Sequence, residues 1–321
     1  MHTLECMLTS SGDVDESAAF TVSLDDLTTE AGGEASLAYD LRSTTELVEL
    51  MNRADRVVPE AVAGARDELA TAIDAVVGQL QRGGRLVYVG AGSSGRIAAV
   101  DAAECESTFS TPPGLVVAVV AGGIQASPLE QEAAEDDRGA GRAAMRELAV
   151  GPNDAVVGVS ASGRTPYVLG AIETAAERGA RTIGIVSVES SELGRAVDHE
   201  VAVVVGPEFL AGSTRLKAGS AQKLVLNAIS TISMIRLGKT FGNLMVDVNA
   251  TNEKLRARVL RIVETATGVS GARVEEALAA ADGNAKVAVV SLLAGIDADN
   301  ARARLDAAGG SIRLALDPGS A

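Results

Sequence analysis

The chain reads as an α/β protein, a parallel sheet with helices on both faces, and three observations predict this. Short apolar runs recur at residues 86–89, 115–120, 155–159, 182–188 and 200–205. Helix-compatible segments separate them, and strands alternating with helices at this spacing imply a parallel sheet. The chain is 47% hydrophobic but only 2% aromatic, with no Trp and 34 glycines, so the core must be Ala, Val, Leu and Ile. Such a core suits close packing of helices on a sheet.

Taken in order, residues 1 to about 27 mix Ser, Asp and Thr with little periodicity and read as a weakly packed arm. Ser43 with Glu46 three residues on is a capping start, with Leu47, Leu50 and Met51 on one face. Pro59 ends that helix, and a longer one spans residues 60–80 until Gly83-Gly84 stops it. The first strand follows, and residues 96–103 form the next helix. Pro112-Pro113-Gly114 turns the chain into the second strand, which ends in Ala121-Gly122-Gly123. One acidic helix spans residues 129–148, and Pro152-Asn153-Asp154 leads into the third strand. Beyond the sheet, a long helical region runs from Gly212 to Gly238 and another helix over residues 249–266. Short helices are expected at 274–281, 285–293 and 298–308.

The composition bounds the function. Net charge is −15, which argues against general nucleic-acid binding. The charge is uneven: residues 1–60 hold 13 acids and 3 bases, residues 210–260 hold 8 bases and 2 acids. A basic segment of this kind can hold a small anion, or be a solvated helix face. The longest apolar run, near residues 114–123, is too short for a membrane span. Two cysteines, Cys6 and Cys105, make no disulfide framework, and the start of the chain has no signal pattern, so a reducing, cytoplasmic setting is expected. His2 and His199 lack metal-ligand spacing, so no metal site is expected. Acid–base work then falls to carboxylates, Lys or Tyr.

The organising stretch is RLVYVGAGSSGRIAAVDAAECESTF, residues 85–109. A strand breaks into a glycine loop and a helix, and the free N–H groups of the helix start form an anion site. The third strand ends similarly in Ser160-Ala161-Ser162-Gly163-Arg164-Thr165. In an open parallel sheet ligands bind at the carboxyl ends of strands, so two Ser/Gly loops there can grip one phosphate. Gly90, Gly92 and Gly95 match the dinucleotide fingerprint, but no acid lies between Phe109 and Glu130 to take a ribose. Cys105 reads as a packed side chain rather than a nucleophile. Glu132, Glu135 and Asp136 fall on one helix face, which by pattern alone reads as solvated.

Four segments carry a resemblance: GAGSSGRIAAVDAAEC, AGG with AAEDD, SASGRTPY, and GSTRLKAGSAQKLVLNAIS with GKTFGNLMVDV. Together they closely resemble the N-acetylmuramic acid 6-phosphate etherases, from about Leu41 to the C-terminus. The resemblance implies a SIS-type three-layer sandwich with a flavodoxin-like parallel sheet, over residues 41–250. A helical linker and a small UBA-like helical domain would follow over 251–321, with an N-terminal arm over 1–40. It implies cleavage of the D-lactyl ether by elimination then hydration, with no metal or cofactor, in a homodimer. Glu104 matches the family's catalytic acid and Glu135 its second glutamate, as base. Phosphate binding falls to Ser93, Ser94, Ser160, Ser162, Gly163 and Thr165, with Arg96, Arg164 and Lys217 as further candidates. Glu106-Ser107 departs from the Pro-Pro that usually follows the Glu-Cys pair. A phosphosugar isomerase or a non-catalytic phosphosugar sensor are the alternatives, and release of D-lactate discriminates them.

Overall fold

The structure, a computed structural model, describes residues 38–248 and 253–317. Most of the expected arm and the start of the helix expected from residue 249 lie outside the described residues. A 3₁₀ turn, Tyr39–Leu41, stacks Tyr39 on Phe209 with ring centroids 4.5 Å apart. Helix α1, Thr44–Asp55, opens on the expected capping box: the Ser43 hydroxyl accepts from the Glu46 N–H while the Glu46 carboxylate accepts from the Ser43 backbone. The single helix expected over 60–80 is two, α2 (Val57–Gly64) and α3 (Arg66–Gln81). Pro59 sits in the first turn of α2, where its missing N–H has no intrahelical role, so it does not act as a breaker.

Strand β1, Leu86–Gly90, leads into α4, Gly92–Phe109, far longer than the expected 96–103. Strand β2 is Val116–Val120. The acidic helix is broken into α5, Pro128–Glu135, and α6, Arg138–Glu147. The break falls at Asp136-Asp137 because the Asp137 carboxylate caps α6, accepting from Ala140 N at 2.8 Å. Then come β3 (Ala155–Val159), α7 (Pro166–Glu177), β4 (Arg181–Val186), the short α8 (Glu192–Ala196), β5 (His199–Ala202) and the long α9 (Lys217–Arg236). A small antiparallel pair, β6 (Thr240–Phe241) and β7 (Leu244–Met245), was not expected. Five helices follow among the described residues: α10 (Glu253–Thr267), α11 (Ala272–Ala280), α12 (Ala285–Ala294), α13 (Ala298–Ala307) and α14 (Ile312–Leu316). The last of these lay beyond the expected set.

The five-stranded sheet runs β2-β1-β3-β4-β5, all parallel, with Leu86 paired to both Val116 and Ala155. Side chains alternate across it. Leu86, Tyr88, Val157, Ile183 and Ile185 pack with α3, α4 and α9 on one face. Val87, Val89, Val156 and Val186 pack with residues of α6, α7 and α8 on the other. Both faces are covered, which is why the strands are continuously apolar. Each such side chain, buried at 0–1% exposure, contributes roughly 1.5–3 kcal/mol relative to exposure. A third cluster joins α10 to α14 through Val263, Val274, Val287, Val289, Leu305 and Ile312. An ion triplet ties it to the preceding segment: the Asp247 carboxylate meets Lys239 Nζ and Lys286 Nζ, each at 2.8 Å. No single helix among the described residues is long and apolar enough to cross a membrane.

Candidate active site

The order β2-β1-β3 places the strand order's reversal between β1 and β3. From β1 the chain leaves through α4 on one face, and from β3 through α7 on the other. The carboxyl edge between them is the position where open α/β sheets take ligands. Both Ser/Gly loops lie there.

The glycines of the first loop have steric reasons. A Cβ on Gly95 would lie 2.7 Å from Gly90 O and 2.8 Å from Val120 Cγ1, and one on Gly90 would lie 2.8 Å from Gly95 N. The pair therefore lets α4 start hard against the sheet. Gly92 takes φ +52°, a left-handed value that favours glycine. The first N–H bonded within α4 is that of Gly95, to Ala91 O at 3.0 Å, and no side chain among the described residues caps the helix. The N–H groups of Gly92, Ser93 and Ser94 thus point out of an 18-residue helix with the half-buried Ser93 and Ser94 hydroxyls beside them.

The second loop is a closed hydrogen-bonded unit. Buried Ser160 Oγ accepts from Gly163 N at 3.0 Å and meets Thr165 Oγ1 at 2.9 Å. Thr165 Oγ1 in turn donates to Glu135 Oε1 at 3.3 Å, so the Ser160 hydroxyl is left to donate to Thr165. Ser162 Oγ accepts from Arg164 N at 3.3 Å. Gly163 has φ +63°, and a Cβ there would strike Ser191 Cβ at 2.4 Å.

Glu135 joins the two loops. It ends α5, accepts from Thr165 with one oxygen, and its Oε2 lies 3.8 Å from where a Gly92 Cβ would be. It is half-buried while Glu132 and Asp136 stay exposed, so the expected solvated face holds for those two but not for Glu135. Burial raises its pKa above the ordinary glutamate value, the Thr165 hydrogen bond opposes this, and the charges of Asp136 and Glu132 add to the rise.

Glu104 does not join this group within one protomer. It follows Gly92 by twelve residues on α4, about 18 Å along the axis, and is exposed. It is not at the helix end, as a helix over 96–103 would have it. With Glu106-Ser107 in place of prolines the helix continues to Phe109, and Ser107 Oγ donates to Glu104 O at 3.1 Å. The three further cations have structural partners or face outward. Arg96 Nη1 donates to buried Gln131 Oε1 at 2.6 Å, tying α4 to α5. Buried Lys217 donates to Val205 O at 2.7 Å, and Arg164 is exposed. Sequence reasoning missed Gln131, whose amide also donates to Gly123 O at 3.1 Å, and Glu208, a buried carboxylate that accepts from Lys217 N and Ala218 N at the start of α9. Neither has a local signal, since both bond across loops. Cys105 is buried, and burial pushes its thiol up to about 12, as a packed side chain.

The family described as "Glucokinase regulatory protein N-terminal SIS domain" matches residues 68–176, and "SIS domain" matches 139–231. An N-acetylmuramic acid 6-phosphate etherase of Rubrobacter xylanophilus is 59% identical over 299 residues, covering 92% of this chain and 98% of that one. The protein of the same name from Streptomyces avermitilis is 52% identical, covering 91% and 94%. That of Escherichia coli is 46% identical, covering 92% and 99%. With a SIS-type sheet and identity of this extent over nearly the whole length, the chain belongs to the N-acetylmuramic acid 6-phosphate etherase family.

Proposed function

We propose that this chain cleaves the D-lactyl ether of N-acetylmuramic acid 6-phosphate, giving N-acetylglucosamine 6-phosphate and D-lactate in cytoplasmic recycling of cell-wall amino sugars. The observation that carries the reading is Glu135, a half-buried carboxylate with a raised pKa, held by Thr165 beside Gly92 at the junction of the two loops. The phosphate is taken by the N–H groups of Gly92, Ser93 and Ser94 and by hydroxyls of Ser93, Ser94, Ser160, Ser162 and Thr165, with Gly163 shaping the second loop.

In the open-chain sugar the C1 aldehyde acidifies the C2 proton. Glu135 takes that proton, the C2–H electrons form the C2=C3 double bond, and the C3–O bond breaks. The departing lactate oxygen takes a proton from Glu104. Water then adds at C3, giving its proton back to Glu104, while C2 regains a proton from Glu135. Two carboxylates with opposite roles need environments that push their proton affinities apart.

Glu104 of the same protomer is too far along α4 to serve the loop at Gly92, so a second copy supplies it. Val100, 60% exposed one turn before Glu104, offers an apolar side chain for that contact. The reading is therefore of a homodimer whose sites each combine Glu135 of one protomer with Glu104 of the other. Mixing inactive Glu104→Ala with inactive Glu135→Ala tests it. Random exchange makes half the dimers mixed, each with one intact site, so D-lactate release should return to about a quarter of wild type. No recovery after verified exchange refutes the shared site. No lactate from wild-type protein refutes the activity itself.

A further inference from the structure

The segment GSTRLKAGSAQK leaves two cations unused by this chemistry, Arg215 and Lys223. Neither makes an ion pair among the described residues, and both are exposed. They line a cavity of about 480 Å³ with Ser220, walled by Val58 and Pro59 of α2 and Ile97 of α4. One acid, Asp55, shares the lining, so cations outnumber it. The start of α9 does not create this positive character. Glu208 already occupies the N–H groups of Lys217 and Ala218, and Gly219 N and Ser220 N bond to Thr214 O and Leu216 O. The charge comes from side chains.

Lys223 is also held in place. With the Asn227 amide oriented by its neighbours, its oxygen accepts from Lys223 Nζ at 2.9 Å and its nitrogen donates to Asp101 Oδ1 at 3.0 Å. Buried Asp101 accepts further from Tyr88 OH at 2.9 Å and Ser230 Oγ at 3.1 Å. A buried carboxylate is costly unless fully bonded, and this one anchors the chain of contacts that ends on the Lys223 ammonium. The cation is preorganised rather than a free surface lysine.

The cavity shares helix α4 with the first Ser/Gly loop. Ile97 follows Gly92 by five residues on α4, about 7.5 Å along the axis. An extended hexose 6-phosphate carries a substituent on C3 at a similar distance from its phosphate, on the order of 8 Å by bond lengths. On the reading that the substrate is a lactyl ether of such a sugar, we propose that Arg215 and Lys223 bind the lactyl carboxylate and thereby select the etherase substrate over phosphosugars that lack it. Val58, Pro59 and Ile97 then receive the lactyl methyl. Arg215 and Lys223 are specificity residues, and Asn227 and Asp101 are positioning residues for Lys223.

The test separates the two ligands by charge. In Arg215→Met and Lys223→Met, KM for N-acetylmuramic acid 6-phosphate should rise about 10- to 100-fold, the loss of one charge-assisted hydrogen bond. Affinity for N-acetylglucosamine 6-phosphate, which keeps the phosphate and lacks the carboxylate, should stay within about twofold, and inhibition by added D-lactate should weaken in parallel with KM. Lys223→Arg should restore part of the loss. An equal fall in affinity for both sugars, or no change for either, overturns the proposal. Unchanged urea midpoints exclude a folding origin. If wild-type protein releases no lactate, the functional reading fails separately, and direct binding of the two sugars to wild type and variants still decides whether the cavity discriminates the carboxylate.

Discussion

Gly95→Ala isolates the contact that seats α4 on the sheet. The added methyl would lie 2.7 Å from Gly90 O, 2.8 Å from Val120 Cγ1 and 2.9 Å from Gly90 C. The first contact is roughly 0.7 Å inside ordinary van der Waals distance, and two of the three atoms are backbone. Val120 can yield by a side-chain shift, but Gly90 is held in β1 between β2 and β3. Overpacking of this kind costs about 1–3 kcal/mol. Alanine's better helix propensity returns about 1 kcal/mol, leaving a net loss of up to about 2 kcal/mol. Relief requires the start of α4 to move outward, carrying the donors of Gly92, Ser93 and Ser94 with it. A displacement near 1 Å at a positioning site costs up to about a hundredfold in rate, so kcat/KM should fall at least about tenfold. Gly78→Ala is the control. Gly78 lies inside α3 with nothing within 4 Å of its added Cβ, so the same substitution should stabilise by up to about 1 kcal/mol. Urea midpoints and D-lactate kinetics read both. Equal stability and activity of Gly95→Ala and wild type would refute the steric account, as would a Gly78→Ala loss of the same size.

Glu135→Gln should lower kcat by about 10²–10⁴-fold with phosphosugar affinity retained, since the amide oxygen still accepts from Thr165. Because burial raises Glu135's pKa, the wild-type protein loses stability as pH rises from the unfolded value through the folded one. The Gln variant lacks that loss, so its Tm advantage should be present at pH 8 and vanish near pH 4; the reverse order contradicts the assigned shift. For the same reason the acid limb of kcat/KM in wild type should lie above the ordinary carboxylate range. Cys105, buried and with its thiol near 12, should resist iodoacetamide at pH 8 in the folded protein and react only on unfolding. Asp247→Ala strands Lys239 and Lys286, the latter with a side chain 9% exposed, and should cost about 3 kcal/mol or more, seen first as faster amide exchange in α12.

Element type was legible where local chemistry decides it. The Ser43–Glu46 box, the Val-rich strands and the short C-terminal helices sit close to their expected places. Boundaries drifted where tertiary packing overrides propensity. Gly92 and Gly95 are poor helix residues, yet α4 includes them because their lack of a Cβ lets the helix meet the sheet. Asp136-Asp137 reads as more helix by composition, but the Asp137 side chain prefers the new N-terminus of α6. The β6–β7 pair is too short to carry a period.

The two Ser/Gly loops and both glutamates were readable as residue types, because glycine, hydroxyl and carboxylate chemistry is local. Their grouping was not. Thr165 reaches Glu135 across 30 positions, and only the strand order β2-β1-β3 brings those loops to one edge. The same fold sends Glu104 down an 18-residue helix away from it, a separation that spacing in sequence does not reveal. By itself, then, the sequence determined the alternation of strand and helix, the two Ser/Gly loops between them and the chemistry available to their side chains. The tertiary structure alone decided which groups share a site and which are parted, because distance in the chain says nothing about distance across a parallel sheet once crossovers exceed a few turns of helix.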